Sequence, residues 1–422
     1  MTRMQLARQG RITDEMTAVA AREGVAPEAV RDGLAAGTLV IPRNARRALA
    51  EPRAVGRGTT VKVNANIGAS PHRSDPAEEL AKLDAAVAAG ADSVMDLSLG
   101  PDQIRIRRAV LERSPVMVGT VPIYQTAFEL SARRRDLAEM TADDFLATVR
   151  RQAEEGVDFM TIHSGVTRSA VAAMHAQGRV LDVVSRGGAM LVDWMRRTGR
   201  ESPLFERFDD ILDILAEHDV TLSLGDGMRP GATADAGDCA QTAELLTLAE
   251  LTRRAWERGV QVIIEGPGHV TLDKIAEQMK LQKTLCGGAP FYILGPLVTD
   301  VAAGHDHIAG AIGGAVAALH GADFLCYVTP AEHLRLPTVA DVRAGVVASK
   351  IAAHAADLAR GNPAARARDL AMSRARKALD WERQMELALD PATARAARGA
   401  SGIGDEDVCT MCGEFCAIKR LR

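Results

Sequence analysis

The sequence predicts an α/β fold, a (β/α)8 TIM-type barrel with a helical region before it and a helical extension behind it. Three observations predict this. From residue 59 to 362, short and almost continuously apolar segments alternate with helical ones, the pattern of a parallel sheet covered on both faces. No Gly-x-Gly-x-x-Gly follows the first apolar segment, which disfavours an open doubly wound sheet. Polar and glycine-rich residues recur where the segments end, the side of a barrel on which chemistry gathers.

Residues 1–58 read as the N-terminal helical region: one amphipathic helix, a second over Pro27–Ala36, and a Pro- and Arg-rich crossing at 41–47. Nine strand candidates follow, at 61–67, 93–98, 116–121, 159–163, 180–185, 220–224, 260–264, 291–294 and 323–328. An eight-stranded barrel uses one fewer. Ser74 is the expected N-cap of a helix over 75–89, and another helix is expected over 102–113. Residues 363–400 form a C-terminal helical region, with helix expected over 364–389. Gly and Ser at 397–404 suggest a hinge into a metal-binding tail at 401–422.

Of the 422 residues 47% are hydrophobic but only 3% aromatic, so the core is built from Ala, Val, Leu and Ile. A net charge of −4 gives no reason to expect a nucleic-acid or membrane surface. The first residues carry mixed charge and no apolar signal core, so a cytoplasmic location is expected. No apolar run approaches the roughly 20 residues of a membrane-spanning helix.

The tail holds Cys409, Cys412 and Cys416, half of the six cysteines, in a C-x2-C-x3-C array. That spacing is too tight for a disulfide framework and points to a metal. Zinc normally takes a fourth protein ligand, and no His or Cys follows. Three thiolates suit a 4Fe–4S cluster with one iron open, a variant of four-cysteine ligation. A zinc knuckle completed by a remote His is the alternative. Cys239, Cys286 and Cys326 read as packed thiols, since a free cysteine behaves as a small hydrophobe.

Among the strand-end residues are Asn64 and Asn66, Asp96 and Ser98, and His163. Ser185, Arg186, Gly187 and Gly188 offer a hydroxyl, a guanidinium and bare backbone N–H groups, a suitable cradle for phosphate. Gly225 to Gly231 places Asp226 and Arg229 together, suited to a ribose or polar ring. Glu265 and His269 flank a Gly-Pro-Gly turn. His269 and His333 could share a divalent metal, although their spacing by itself is weak support.

The blocks GDGMRPG, VIIEGPGHV, APFYILGPLVTD, FLCYVTPAEHL, KIAAHAADLA and CTMCGEFC together resemble the phosphomethylpyrimidine synthase family of radical S-adenosylmethionine enzymes. The resemblance implies a (β/α)8 barrel, a homodimer whose tail serves the partner subunit, and a one-electron reductant of flavodoxin or ferredoxin type. It implies conversion of 5-aminoimidazole ribotide, with S-adenosylmethionine, to 4-amino-5-hydroxymethyl-2-methylpyrimidine phosphate in thiamin biosynthesis. Matched motif by motif, the ribotide contacts would be Asn66, Met95, Tyr124, His163, Ser185, Arg186, Gly187, Asp226, Gly227, Met228, Arg229, Glu265 and Tyr292. Glu265 would handle protons, His269 and His333 would bind zinc, and Cys409, Cys412 and Cys416 the 4Fe–4S cluster. The sequence departs from the pattern at 98–102, at 302–308, at Thr271 and in the shorter last cysteine gap. A related 5-hydroxybenzimidazole synthase uses the same ribotide and the same kind of tail, and the motifs do not separate the two products. A non-catalytic iron–sulfur or zinc sensor would not need the strand-end polar residues.

Overall fold

The computed structural model describes residues 1–402 and 408–421, which divide into two compact units, Met1–Ala353 and His354–Arg422. The first unit is a closed, all-parallel barrel of eight strands. They are β1 (Lys62–Ile67), β2 (Ser93–Asp96), β3 (Met117–Thr120), β4 (Phe159–Ile162), β5 (Thr221–Leu224), β6 (Val262–Gly266), β7 (Phe291–Leu294) and β8 (Phe324–Cys326). Strand β8 closes on β1 with Phe324 opposite Lys62 and Leu325 opposite Val63.

The ninth candidate, 180–185, is a loop. Its composition is strand-like, but the backbone N–H groups of Val180 and Leu181 donate to the Asp235 carboxylate, not to a neighbouring strand. Val180 and Leu181 are exposed, which an interior stave would not allow.

The barrel's lower end carries a repeated unit. A helix ends at Gly, Ala or Val follows, and an Asp then opens the next strand: Gly90-Ala91-Asp92, Gly156-Val157-Asp158 and Gly321-Ala322-Asp323. Each Asp accepts the N–H of a residue on the preceding strand. Asp92 takes Val63 at 3.0 Å, Asp158 takes Val118 at 2.8 Å, and Asp323 takes Phe291 at 3.0 Å. A cation completes each carboxylate, namely Lys350, Arg47 and Lys283.

The N-terminal region runs under this end. Its first expected helix is two, Arg3–Arg8 and Asp14–Glu23, because Thr13 caps the second one through the Met16 N–H. Beyond Pro27–Ala36, a short antiparallel ribbon pairs Leu39–Val40 with Val55–Gly56. Asn44 N–H then donates to Asp158, and Ile41 N–H to Gln261, which occupies the same place before β6. Asp75, not Ser74, caps the helix Pro76–Ala88; the Ser74 hydroxyl donates to Asp102 instead. The 102–113 helix begins at Gln103.

In the second unit, Pro363–Ala378 and Trp381–Leu387 are followed by a third helix, Pro391–Gly399, where a hinge from 397 was expected. The end of that hinge, 403–404, lies outside the described residues. Among the described residues no helix is long and apolar enough to cross a membrane.

Candidate active site

At the upper end of the barrel the strand ends enclose an inner cavity of about 80 Å³. Eight residues singled out in the sequence line it: Asn66, Met95, Tyr124, His163, Asp226, Arg229, Glu265 and Tyr292. Strand alternation aims the strand residues Asn66, Met95, Glu265 and Tyr292 there, since residues two apart share a face, whereas Tyr124 comes from the helix Pro122–Ala132 and Asp226 and Arg229 from the loop after β5. The same rule brings in Thr161 and Ser223, which the sequence reading missed. Both hydroxyls donate to Glu265 Oε1, at 2.6 and 2.8 Å.

The electrostatics are those of a buried polar chamber. Burial pushes the Glu265 carboxyl up, against the pull of the Thr161 and Ser223 hydroxyls. Burial likewise raises Asp226 to about 8, although Arg229 Nη1 lies 3.1 Å from its Oδ1. His163 falls to about 3 through burial and the nearby Arg229 charge, so its ring is neutral. Its Nε2 sits 3.2 Å from Ser185 Oγ, while its Nδ1 is buried with no partner. Asp226 Oδ2 and Asn64 Oδ1 are buried and unpartnered too. Buried polar atoms are ordinarily bonded. Two of these orphans, His163 Nδ1 and Asp226 Oδ2, belong to residues that line the cavity, where a bound molecule can satisfy them.

Ser185, Arg186 and Gly187 lie outside the inner cavity but beside it. Ser185 caps the helix Arg186–Thr198, its Oγ accepting the Gly188 N–H. The helix N-terminus thus faces the site, with the field and N–H groups that favour an anion. Glycine is required here by close approach. A Cβ on Gly187 would stand 2.4 Å from His163 Cε1, and one on Gly188 2.4 Å from the Gly227 carbonyl. Arg186 is exposed, its guanidinium 4.8 Å over the Tyr124 ring, and it lines an outer cavity of about 550 Å³ that shares Asn66, Leu97 and Leu294 with the inner one.

Gly227 and Met228 do not line the inner cavity. Met228 is fully buried, its N–H bonded to Glu244 and its carbonyl to Arg179, so both residues support the wall from behind. Two expectations about cysteines also change. Cys326 is buried, but it lines the cavity and accepts from Asn66 Nδ2 at 3.1 Å; burial lifts its thiol to about 12. Its apolar flanks hid the fact that it shares a face with inward residues. Cys239 is exposed, because it opens the helix Cys239–Glu257 on the surface. Cys286 is packed as expected.

His269 and His333 come together, their ring centroids 5.3 Å apart. Nδ1 of His269 lies 2.8 Å from Asp300, and Nδ1 of His333 lies 3.4 Å from Asp306. Carboxylates on Nδ1 are the usual backing of imidazoles that ligate through Nε2. His333 takes φ +61°, a costly backbone for a non-glycine residue, which concentrates at functional positions. Among the described residues no three His, Cys, Asp or Glu side chains are arranged to hold a metal.

In the second unit Arg398 stacks 4.0 Å from the Trp381 ring and donates to the Val408 carbonyl, which fixes the start of the tail. The three tail cysteines are free thiols. Backbone N–H groups of Met411 and Cys412 lower the Cys409 thiol, as suits a group that ligates as thiolate. By donor chemistry the tail fits a 4Fe–4S cluster.

Comparison with known proteins extends over the whole chain. The model of the radical SAM ThiC family matches residues 2–422. A phosphomethylpyrimidine synthase of Geobacter metallireducens is 55% identical over 419 residues, covering 99% of this chain and 96% of that protein. Another, of Desulforudis audaxviator, is 57% identical over 419 residues and covers 99% and 97%.

Proposed function

This chain belongs to the radical SAM ThiC family, and from that premise we propose that it is a thiamin-pyrimidine synthase. It would convert 5-aminoimidazole ribotide and S-adenosylmethionine to 4-amino-5-hydroxymethyl-2-methylpyrimidine phosphate. The observation that carries the reading is the inner cavity with its orphaned His163 Nδ1 and Asp226 Oδ2, set beside a glycine-rich helix N-terminus. One end offers polar groups for an aminoimidazole and ribose, the other an anion cradle.

In this reading Ser185, Arg186 and Gly187 hold the ribotide phosphate, so that fragments of the substrate stay in place. Asp226 and Arg229 bind the ribose, and neutral His163 presents Nδ1 to the ring or a hydroxyl. Glu265, with its raised carboxyl, takes up and returns protons. Tyr292, held by Asn64 at 2.7 Å, closes the floor against water. Cys409, Cys412 and Cys416 would hold the 4Fe–4S cluster, which would supply the electron for reductive cleavage of S-adenosylmethionine to methionine and a 5′-deoxyadenosyl radical. His269 and His333 would hold zinc with coordination positions to spare. A homodimer, a flavodoxin- or ferredoxin-type donor and a cytoplasmic location complete the reading.

The test is mass spectrometry of the products from anaerobically reconstituted protein, reductant, S-adenosylmethionine and aminoimidazole ribotide. The pyrimidine phosphate is expected, and Cys412→Ala should yield none while keeping a wild-type melting temperature. Formation of 5-hydroxybenzimidazole would overturn the assignment of product, and formation of neither would overturn the function.

A further inference from the structure

A second chamber lies behind the first. It occupies about 270 Å³ between the helices Cys239–Glu257 and Ile275–Leu285. The two chambers share Asp226, Arg229, Glu265 and Gly266, so the charged wall of one is the charged wall of the other. Its volume far exceeds the ~10–15 Å³ one water needs. Its outer part is polar, with Gln241 Nε2 bonded to Gln278 Oε1 at 3.0 Å and Lys274 and Glu277 near the surface.

At the inner end stands Glu244, 2% exposed. Its Oε2 accepts the Met228 N–H at 2.9 Å, but its Oε1 is buried without a partner. Asp226 Oδ2 on the shared wall is also orphaned, as is Gln278 Nε2 on the opposite side. Glu244 thus braces the loop through Met228 and lines the chamber as well. The charged groups that line the chamber with Glu244 are Asp226 and Arg229 on the loop after β5, Glu265 at the end of β6, and Lys274 and Glu277 at the start of the neighbouring helix. Arg179, paired with Asp238, adds its charge from the loop behind Met228.

We propose that this chamber is a solvent-fed proton route into the active site, with Glu244 as the positioning residue that receives protons at Oε1 and delivers them to the Asp226–Glu265 wall. The proposal rests on the reading that Asp226 and Glu265 face the substrate. Burial and the neighbouring Asp226 push the Glu244 carboxyl well above its ordinary value. Glu244 stands on the chamber wall that leads to the residues shared with the inner cavity. The inner site itself can stay dry.

Infrared spectroscopy of the full chain near neutral pH tests this without turnover. The carboxyl C=O band of Asp226, assigned by its loss in Asp226→Asn, shifts when its proton exchanges for deuterium. In wild type the shift should be complete as soon as D2O is mixed in. Glu244→Gln keeps an acceptor for the Met228 N–H and should leave ribotide affinity unchanged, yet slow the shift about a hundredfold or more, the low side of what losing a proton-transfer partner costs. Leu245→Trp, which narrows the chamber from the helix side, should slow it too, and carries the test should Glu244→Gln not fold. Wild-type exchange rates in both variants, or no Asp226 band in wild type, would overturn the proposal. Failure of wild type to bind ribotide would instead sink the functional reading, and calorimetry reads that separately.

Discussion

Arg186 and Asp226 show how differently two charged residues are placed around one small space. Arg186 is exposed, with its guanidinium stacked on Tyr124. Its proposed task is a charge-assisted contact to phosphate, worth roughly 1.5–3 kcal/mol. Arg186→Ala should therefore weaken ribotide binding about ten- to a hundredfold by calorimetry with little change in melting temperature. Unchanged affinity would return Arg186 to the solvent. Asp226 is buried, and its stability effect depends on pH. Its folded value of about 8 lies above the roughly 3.9 of a free Asp, so the folded protein holds this proton more tightly than the unfolded chain. The stability this contributes is present in acid and is lost as pH rises from about 4 through about 8. Asp226→Asn removes the dependence. Whatever its constant offset, the variant's melting temperature should gain on wild type between about pH 5 and pH 9, and parallel curves would contradict the burial argument.

At the level of elements, the Gly-Ala/Val-Asp unit explains why the barrel closes in one register. Gly156 takes φ +98° to end the helix Ala142–Glu155, a conformation that favours glycine, and Asp158 then clasps β3 and the N-terminal strap at once. Removing a buried carboxylate leaves Arg47 buried and unpaired, which costs about 3–5 kcal/mol. Asp158→Ala should lower the urea midpoint accordingly, and replacing Arg47 by Met in the same chain should restore part of the loss. Eight of the staves were legible in the sequence because a parallel strand, buried on both faces, must be an apolar run. The segment 180–185 is just as apolar, and its hydrogen bonds to Asp235 and the exposure of Val180 and Leu181 show that it is not a strand. The inward residues Thr161 and Ser223 were readable from the two-residue alternation once His163 and Gly225 were placed. Glu244 was not, because a Glu in an Ala- and Leu-rich helix reads as surface until its neighbours in space are known.

For the molecule as a whole, the polar strand ends carried most of the site, because a barrel gathers them at one end whatever their separation in sequence. His269 and His333, 64 positions apart, meet for that reason. Their spacing alone could not say so. The family places the reaction among radical chemistries, and the inner cavity suggests what is presented to the radical. The most direct test follows the hydrogen. Ribotide deuterated on its ribose, incubated anaerobically with reconstituted protein, reductant and S-adenosylmethionine, should deliver deuterium into 5′-deoxyadenosine. Unlabelled 5′-deoxyadenosine, formed at the same rate with and without ribotide, would contradict the account.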